Sequence, residues 1–136
     1  IIRNNMQKIM QKYCSVFRSQ ELISKGIKEL EEVEDSLKHL NVEDKSLIFN
    51  TDLVDAFELD NLMIQSKATL YSALYRKESR GAHAREDYNK RDDKNWLVHS
   101  LVRIDNNKNI SMNTRQVNLN TLSNHTQTIQ PKVRIY

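Results

Sequence analysis

Between Ile2 and Arg76, apolar residues recur at helical spacing in three successive stretches, and the whole chain holds only two glycines and one proline to interrupt them. Ile2, Met6, Ile9, Met10 and Tyr13 fall on one face of a first helix that runs to about Cys14. Leu22, Ile23, Ile27, Leu30, Val33, Leu37 and Leu40 make the stripe of a second, opened by Ser19 or Gln20, with Glu29, Glu31, Glu32, Glu34 and Asp35 on its other faces. The pattern breaks from Asn41 to Asn50. Asn50 or Thr51 then caps a third helix, with Asp52 and Asp55 in its first turn, that continues to about Arg76. Its apolar positions (Leu53, Val54, Phe57, Leu62, Ile64, Ala68, Tyr71, Leu74) cover nearly its whole circumference, so it is predicted to pack on more than one side. The expected fold is mainly α: a three-helix bundle, spectrin-repeat-like and up-down-up, over residues 1–78. Residues 79–136 are expected to add a charged loop, a small β-hairpin and an irregular carboxy-terminal tail to the same domain.

With 136 residues, 38% hydrophobic and 29% charged, the chain suits one helix-rich domain rather than a β-sandwich. No apolar run reaches the roughly 18 to 20 residues of a membrane span, and the amino end carries no signal pattern. Cys14, flanked by Tyr13, Val16 and Phe17, reads as a buried thiol. The opening Ile1-Ile2-Arg3 lacks an initiator Met and a helix cap, which leads one to expect a segment of something larger. Gly81 is predicted to end any residual helix and Asp92 or Asp93 to cap a short turn carrying Trp96. Leu97–Ile104 and Ile110–Leu119 read as two strands joined by the polar turn Asp105–Asn109, and 118–130 as an irregular crossing.

The densest chemistry lies between Arg76 and Leu101, where seven basic and five acidic residues and two histidines surround the Gly81-Ala82 step. The cysteine and four histidines have no zinc spacing, and no phosphate-binding glycine loop or nucleophile elbow is present. Ser79, His83 and Asp87 could serve as nucleophile, base and orienter only if the fold assembled them. His39 is expected to sit near helix-end carbonyls, His99 to pack in a strand and His125 to be solvated. A net charge of +3 without a clustered basic face argues against nucleic-acid binding. Arg80, Arg85 and Arg91 are expected to be anchored, since guanidinium forks hold carboxylates or carbonyls bidentately.

The wording Glu78-Ser79-Arg80-Gly81-Ala82-His83-Ala84-Arg85-Glu86-Asp87-Tyr88, followed by Arg91-Asp92-Asp93, Asn95-Trp96-Leu97 and His99-Ser100-Leu101, resembles the carboxy-terminal domain of succinate dehydrogenase flavoprotein subunits. Met6-Gln7 to Phe17-Arg18, Leu59-Asp60-Asn61-Leu62 and the ending Pro131-Lys132-Val133-Arg134-Ile135-Tyr136 look like the same family, so the resemblance spans essentially the whole chain. Fumarate reductases share the Ser-Arg-Gly-Ala-His core, and L-aspartate oxidase has a related Ser-Arg-Gly element. Ala-Arg-Glu-Asp-Tyr favours succinate dehydrogenase, and Asn89 stands where that family often has proline.

The resemblance implies that the full subunit oxidises succinate to fumarate through covalently held FAD and passes electrons through an iron–sulfur subunit towards quinone. It implies that FAD and dicarboxylate are held by preceding domains, and that this segment has no catalytic, metal or direct cofactor ligands of its own. Arg80, His83, Arg85 and Arg91 are then interdomain docking candidates facing the upstream flavin-binding domain. The membrane would be reached only through partner subunits, at the cytoplasmic face of a bacterial inner membrane or the mitochondrial matrix side. The excised segment is expected to present an apolar patch or self-associate, with 80–91 partly mobile. A stand-alone helical interaction module is the competing expectation.

Overall fold

A computed structural model describes residues 1–123 and 125–132. Helix α1 (Ile2–Tyr13) buries Met6, Ile9 and Tyr13 and starts without a side-chain cap. Helix α2 (Gln20–Asp35) is capped by the Ser19 hydroxyl, which accepts from the Leu22 amide at 3.2 Å, and buries Ile23, Ile27 and Leu30. Helix α3 (Thr51–Tyr75) is capped by Asn50, whose side-chain oxygen accepts from Leu53 N at 2.8 Å. It contributes Leu59, Met63, Leu70 and Ala73 to one continuous core with the other two helices. Close approach of α1 and α2 requires Gly26, where a Cβ atom would lie 2.6 Å from that of Tyr13. The bundle is as the apolar periodicity predicts.

A short strand β1 (Phe17–Arg18) leaves α1 and pairs in parallel with β2 (Ala84–Arg85), drawing the charged loop onto the α1–α2 connection. After α4 (Asp93–Trp96), strands β3 (Val98–Ile104) and β4 (Ile110–Gln116) form an antiparallel hairpin, with Val98 opposite Gln116 and Ile104 opposite Ile110. Asp105 organises its turn by accepting from the Asn107 and Asn109 amides at 2.8 and 2.9 Å. Strand β3 packs on α3, so Val98, Ser100, Val102 and Ile104 are half-buried while His99, Leu101 and Arg103 are exposed.

Several expectations are corrected. The α-helical hydrogen bonding of α2 stops at Asp35, and Ser36–His39 form a 3-10 turn. Glu31, Glu32, Glu34 and Asp35 crowd its last turn, which holds no basic residue, and negative charge there opposes the helix dipole. Gly81 does not end a helix, because α3 has already stopped at the extended Arg76 (φ −78°, ψ 109°). Its φ of 58° instead serves a two-residue turn in which Arg80 and His83 exchange backbone hydrogen bonds of 2.9 and 3.1 Å. Strand β4 ends at Gln116 rather than Leu119, since β3 begins at Val98 and offers no further partner. His99 is exposed on the outer hairpin face instead of packed. The terminal Val133–Tyr136 lie outside the described residues.

Candidate functional site

Three chain segments converge where α1 and α3 end: the β1 connection, the residues after Tyr75, and the loop from Lys77 to Asp92. Glu78 stands at the centre, its side chain fully buried. Its carboxylate accepts from Arg80 Nε at 2.8 Å and Nη2 at 3.0 Å, from the Asp92 amide at 2.9 Å, and from Arg76 Nη1. Burial alone would raise the Glu78 pKa, but the donors from Arg80, Asp92 and Arg76 outweigh it and hold the group below the ordinary glutamate value. Arg80 also reaches Asp93 at 2.7 Å, Asp93 takes Arg91 at 2.5 Å, and Arg91 donates to the Lys132 carbonyl at 2.7 Å, tying the tail to the loop.

Arg85, 1% exposed, closes the end of α3. Its Nη1 donates to the carbonyls of Ala73, Leu74 and Arg76 at 2.9, 3.2 and 3.3 Å, while Nε and Nη2 grip both Asp87 oxygens at 2.7 Å. Helix-end carbonyls lack intrahelical donors, and a cation there is doubly favourable. Asp87 also accepts from the Gln20 amide at 2.9 Å; the Arg85 hydrogen bonds lead the causes that bring its pKa to about 2.

Arg18 does the same for α1, donating to Ser15 O at 2.8 Å and Cys14 O at 3.0 Å. Its Nη1 donates to His83 Nδ1 at 2.8 Å, and the other ring nitrogen, Nε2, lies 3.2 Å from the Arg76 carbonyl. A guanidinium can only donate and a carbonyl can only accept, so His83 is neutral with its proton on Nε2. Burial leads in pushing its pKa below the ordinary value, and the cations of Arg18, Arg85 and Arg76 act in the same direction.

The four docking candidates therefore divide. His83 and Arg85 are locked inside the knot; Arg80 and Arg91 lie nearer the surface but are engaged by Glu78 and Asp93. Ser79, His83 and Asp87 do not form a relay: Ser79 Oγ donates to Tyr88 O and accepts from the Arg85 amide, both at 2.8 Å, while Asp87 serves Arg85. Among the described residues no three His, Cys, Asp or Glu side chains gather as a metal site. Sequence reasoning missed Arg18, whose link to His83 spans 65 positions and leaves no local signal. It also missed Glu78 as the hub, although its position midway between Arg76 and Arg80 was a clue.

What these contacts build is a junction in which two helix ends, a tight turn and the start of the hairpin are hydrogen-bonded to one another. Comparison with known proteins gives the junction its context. A family profile described as the fumarate reductase flavoprotein carboxy terminus matches residues 3–136. The succinate dehydrogenase flavoprotein subunit of Rickettsia bellii is 47% identical over 135 residues, which cover 99% of this chain and 23% of the relative. The mitochondrial succinate dehydrogenase flavoprotein subunit of Oryza sativa is 45% identical over 99% of this chain and 21% of its own length. Among solved structures, a quinol fumarate reductase flavoprotein of E. coli superimposes with a TM-score of 0.84 at 36% identity, covering 90% of this chain and 21% of that one. The chain thus spans less than a quarter of the length of these relatives. With nearly every residue matched, it belongs to the family of succinate dehydrogenase and fumarate reductase flavoprotein carboxy-terminal domains.

Proposed function

We propose that this chain is the carboxy-terminal domain of a succinate dehydrogenase flavoprotein subunit, a supporting domain for an enzyme that as a whole oxidises succinate to fumarate. The observation that carries the reading is 47% identity across 99% of the chain to a protein of that name. In the reading, the bundle 1–78 and the segment 79–136 act as one domain that packs on the flavin-binding region, and electrons pass to an iron–sulfur subunit and quinone. The association with the membrane runs through partner subunits; no helix among the described residues is long and apolar enough to cross one.

Two observations support holding FAD outside this chain. The guanidinium groups of Arg18, Arg76, Arg80 and Arg85 are turned onto the chain's own carbonyls, carboxylates and imidazole. A cleft of about 600 Å³ sets Glu43, Asp52 and Asp55 beside Arg3, whose guanidinium already faces Asp55 and Glu58 at 3.6 and 3.5 Å, so its wall brings negative charge where a pyrophosphate would need free donors. In this reading the chain's contribution is architectural: Arg76, held by Glu78, donates to Val98 O and Ser100 Oγ and so links the knot at the end of α3 to the hairpin.

The test uses the full-length polypeptide, purified and assayed for bound flavin and for succinate-dependent reduction of an artificial electron acceptor. A flavin-loaded protein that reduces the acceptor is expected. A full-length protein that binds no flavin, or reduces nothing with succinate, would sink the reading. Faster turnover with fumarate and a reduced dye than with succinate would instead favour the fumarate reductase assignment, which the E. coli structural likeness also supports.

A further inference from the structure

The arginines of the charged loop are engaged by the chain's own carboxylates and carbonyls, and the longest consecutive run of exposed apolar side chains among the described residues lies at the other end of α3. Leu47, Ile48 and Phe49 are consecutive and 89, 78 and 97% exposed. Val54, Phe57 and Ile64, also exposed, follow at helical spacing on the side of α3 away from Leu59, Met63 and Leu70. We propose that this loop and stripe form the surface on which the preceding, flavin-binding part of the same polypeptide docks. The inference rests on the function proposed above and moves the principal docking surface from the Arg80–Arg91 loop to the opposite end of the bundle.

The loop is constructed rather than slack. Buried Asn50 donates from Nδ2 to the carbonyls of Asp44 and Ser46, both at 2.8 Å, while its oxygen caps α3. Asp52 accepts from the Glu43 amide at 2.7 Å, and Asp44 from the Ser46 amide at 2.8 Å. Between these fastenings Phe49 has φ of 51°, a conformation that costs a bulky L-residue energy and is retained where surrounding contacts impose it. A strained backbone that holds an aromatic ring out to water gains nothing in the isolated chain. It gains where the ring enters an apolar partner surface.

Chain geometry selects the occupant. In the relatives the matched segment is the carboxy terminus and under a quarter of the length, so the bulk of the polypeptide joins at the position of Ile1. Ile1 and Ile2 line the same cleft as Asn41, Glu43 and Asp52, which places that junction beside the loop. A domain entering there meets the ridge directly. The exposed side chains are apolar and aromatic, the composition of a permanent interface rather than of a polar, transient one.

The test places the photo-crosslinker p-benzoylphenylalanine at Phe49 in the full-length protein, with hydroxyl-radical labelling of the unsubstituted protein in parallel. The expected product is an intrachain crosslink from residue 49 to sequence upstream of Ile1. Labelling of Phe49 should fall several-fold between denatured and folded full-length protein, while fully exposed Leu122 labels alike in both. Crosslinking to a second copy or to a partner subunit, or unprotected Phe49, would overturn the proposal. Flavin content and succinate oxidation are read on the same sample. An active, flavin-loaded protein with unprotected Phe49 defeats the docking surface alone, whereas a flavin-free one defeats the functional reading beneath it.

Discussion

At the end of α3 three carbonyls share one donor group, the Arg85 guanidinium, and the same side chain neutralises Asp87. Replacing it by alanine strips the Ala73 and Leu74 carbonyls of this donor and leaves the Asp87 charge without its cation, so Arg85→Ala should cost about 3–5 kcal/mol in urea unfolding followed by circular dichroism. Arg85→Lys should recover little, since an ammonium cannot span carbonyls and carboxylate as the fork does. In the full-length protein Arg80→Ala or Arg85→Ala should lower flavin content while leaving the KM for succinate of the loaded fraction unchanged; a shifted KM with normal loading would refute the supporting role. Acid should loosen the same knot in two stages. Neutral His83 is favoured by burial, so its contribution is complete above its ordinary pKa of 6.5 and is lost as the pH falls below it. Asp87 is complete above 3.8 and is lost as the pH falls towards about 2, a contribution of about 1–2 kcal/mol after allowance for its partial exposure. His83→Gln should flatten the stability profile just below neutrality and Asp87→Asn only its most acid limb; unchanged profiles would show that neither proton matters. The anchoring of Arg80, Arg85 and Arg91 was legible in their setting, because fork geometry seeks carboxylates and carbonyls. Arg18 was not, because nothing near it in the chain announces a distant histidine.

Among the elements, the three bundle helices were legible because apolar residues recur at helical spacing in each and two of the three have side-chain caps, Ser19 and Asn50. Their ends were less so. The stripe of α2 continues through Leu37 without revealing that the hydrogen bonding has tightened to a 3-10 turn, which depends on helix-end charge. The length of β4 was set by its partner, a fact held in β3 rather than in residues 117–119. The two-residue pairing of β1 with β2 has no periodicity to detect. Gly26 shows the same limit. In a helix interior alanine is ordinarily better than glycine by about 1 kcal/mol, so local propensity favours Gly26→Ala. The structure predicts the opposite sign: the added methyl meets Tyr13 Cβ and Cγ at 2.6 and 3.2 Å, and α1 must move. A loss of about 1–3 kcal/mol, seen as a lowered Tm, is expected, and a raised Tm would mean that the helices separate without cost.

The whole molecule depends on one further junction, where a bundle and a hairpin distant in sequence are joined by charge. Glu34 on α2 accepts from Lys67 of α3 at 2.7 Å and from Lys108 in the hairpin turn at 2.8 Å. Lys67 and Glu34 are 8 and 11% exposed, so each needs the other; Lys108 is largely solvated and adds mainly direction. The sequence showed Glu34 only as one of several acids on a solvated face, because what buries it is the third helix and a turn 74 residues away by number (108 less 34). Glu34→Gln would remove the charge facing buried Lys67 and release Lys108 together, at a cost of about 3 kcal/mol or more. Lys108→Ala removes only the exposed partner and should cost less than about 1 kcal/mol. If the trio fixes the hairpin against the bundle, amide exchange in Val98–Ile104 should accelerate strongly in Glu34→Gln, modestly in Lys108→Ala, and more than in α1, which the trio does not touch. Equal acceleration in α1 and β3 would instead mark Glu34 as a contributor to global stability, with the hairpin held by its half-buried Val98, Val102 and Ile104 and by Arg76, which donates to Val98 O and Ser100 Oγ.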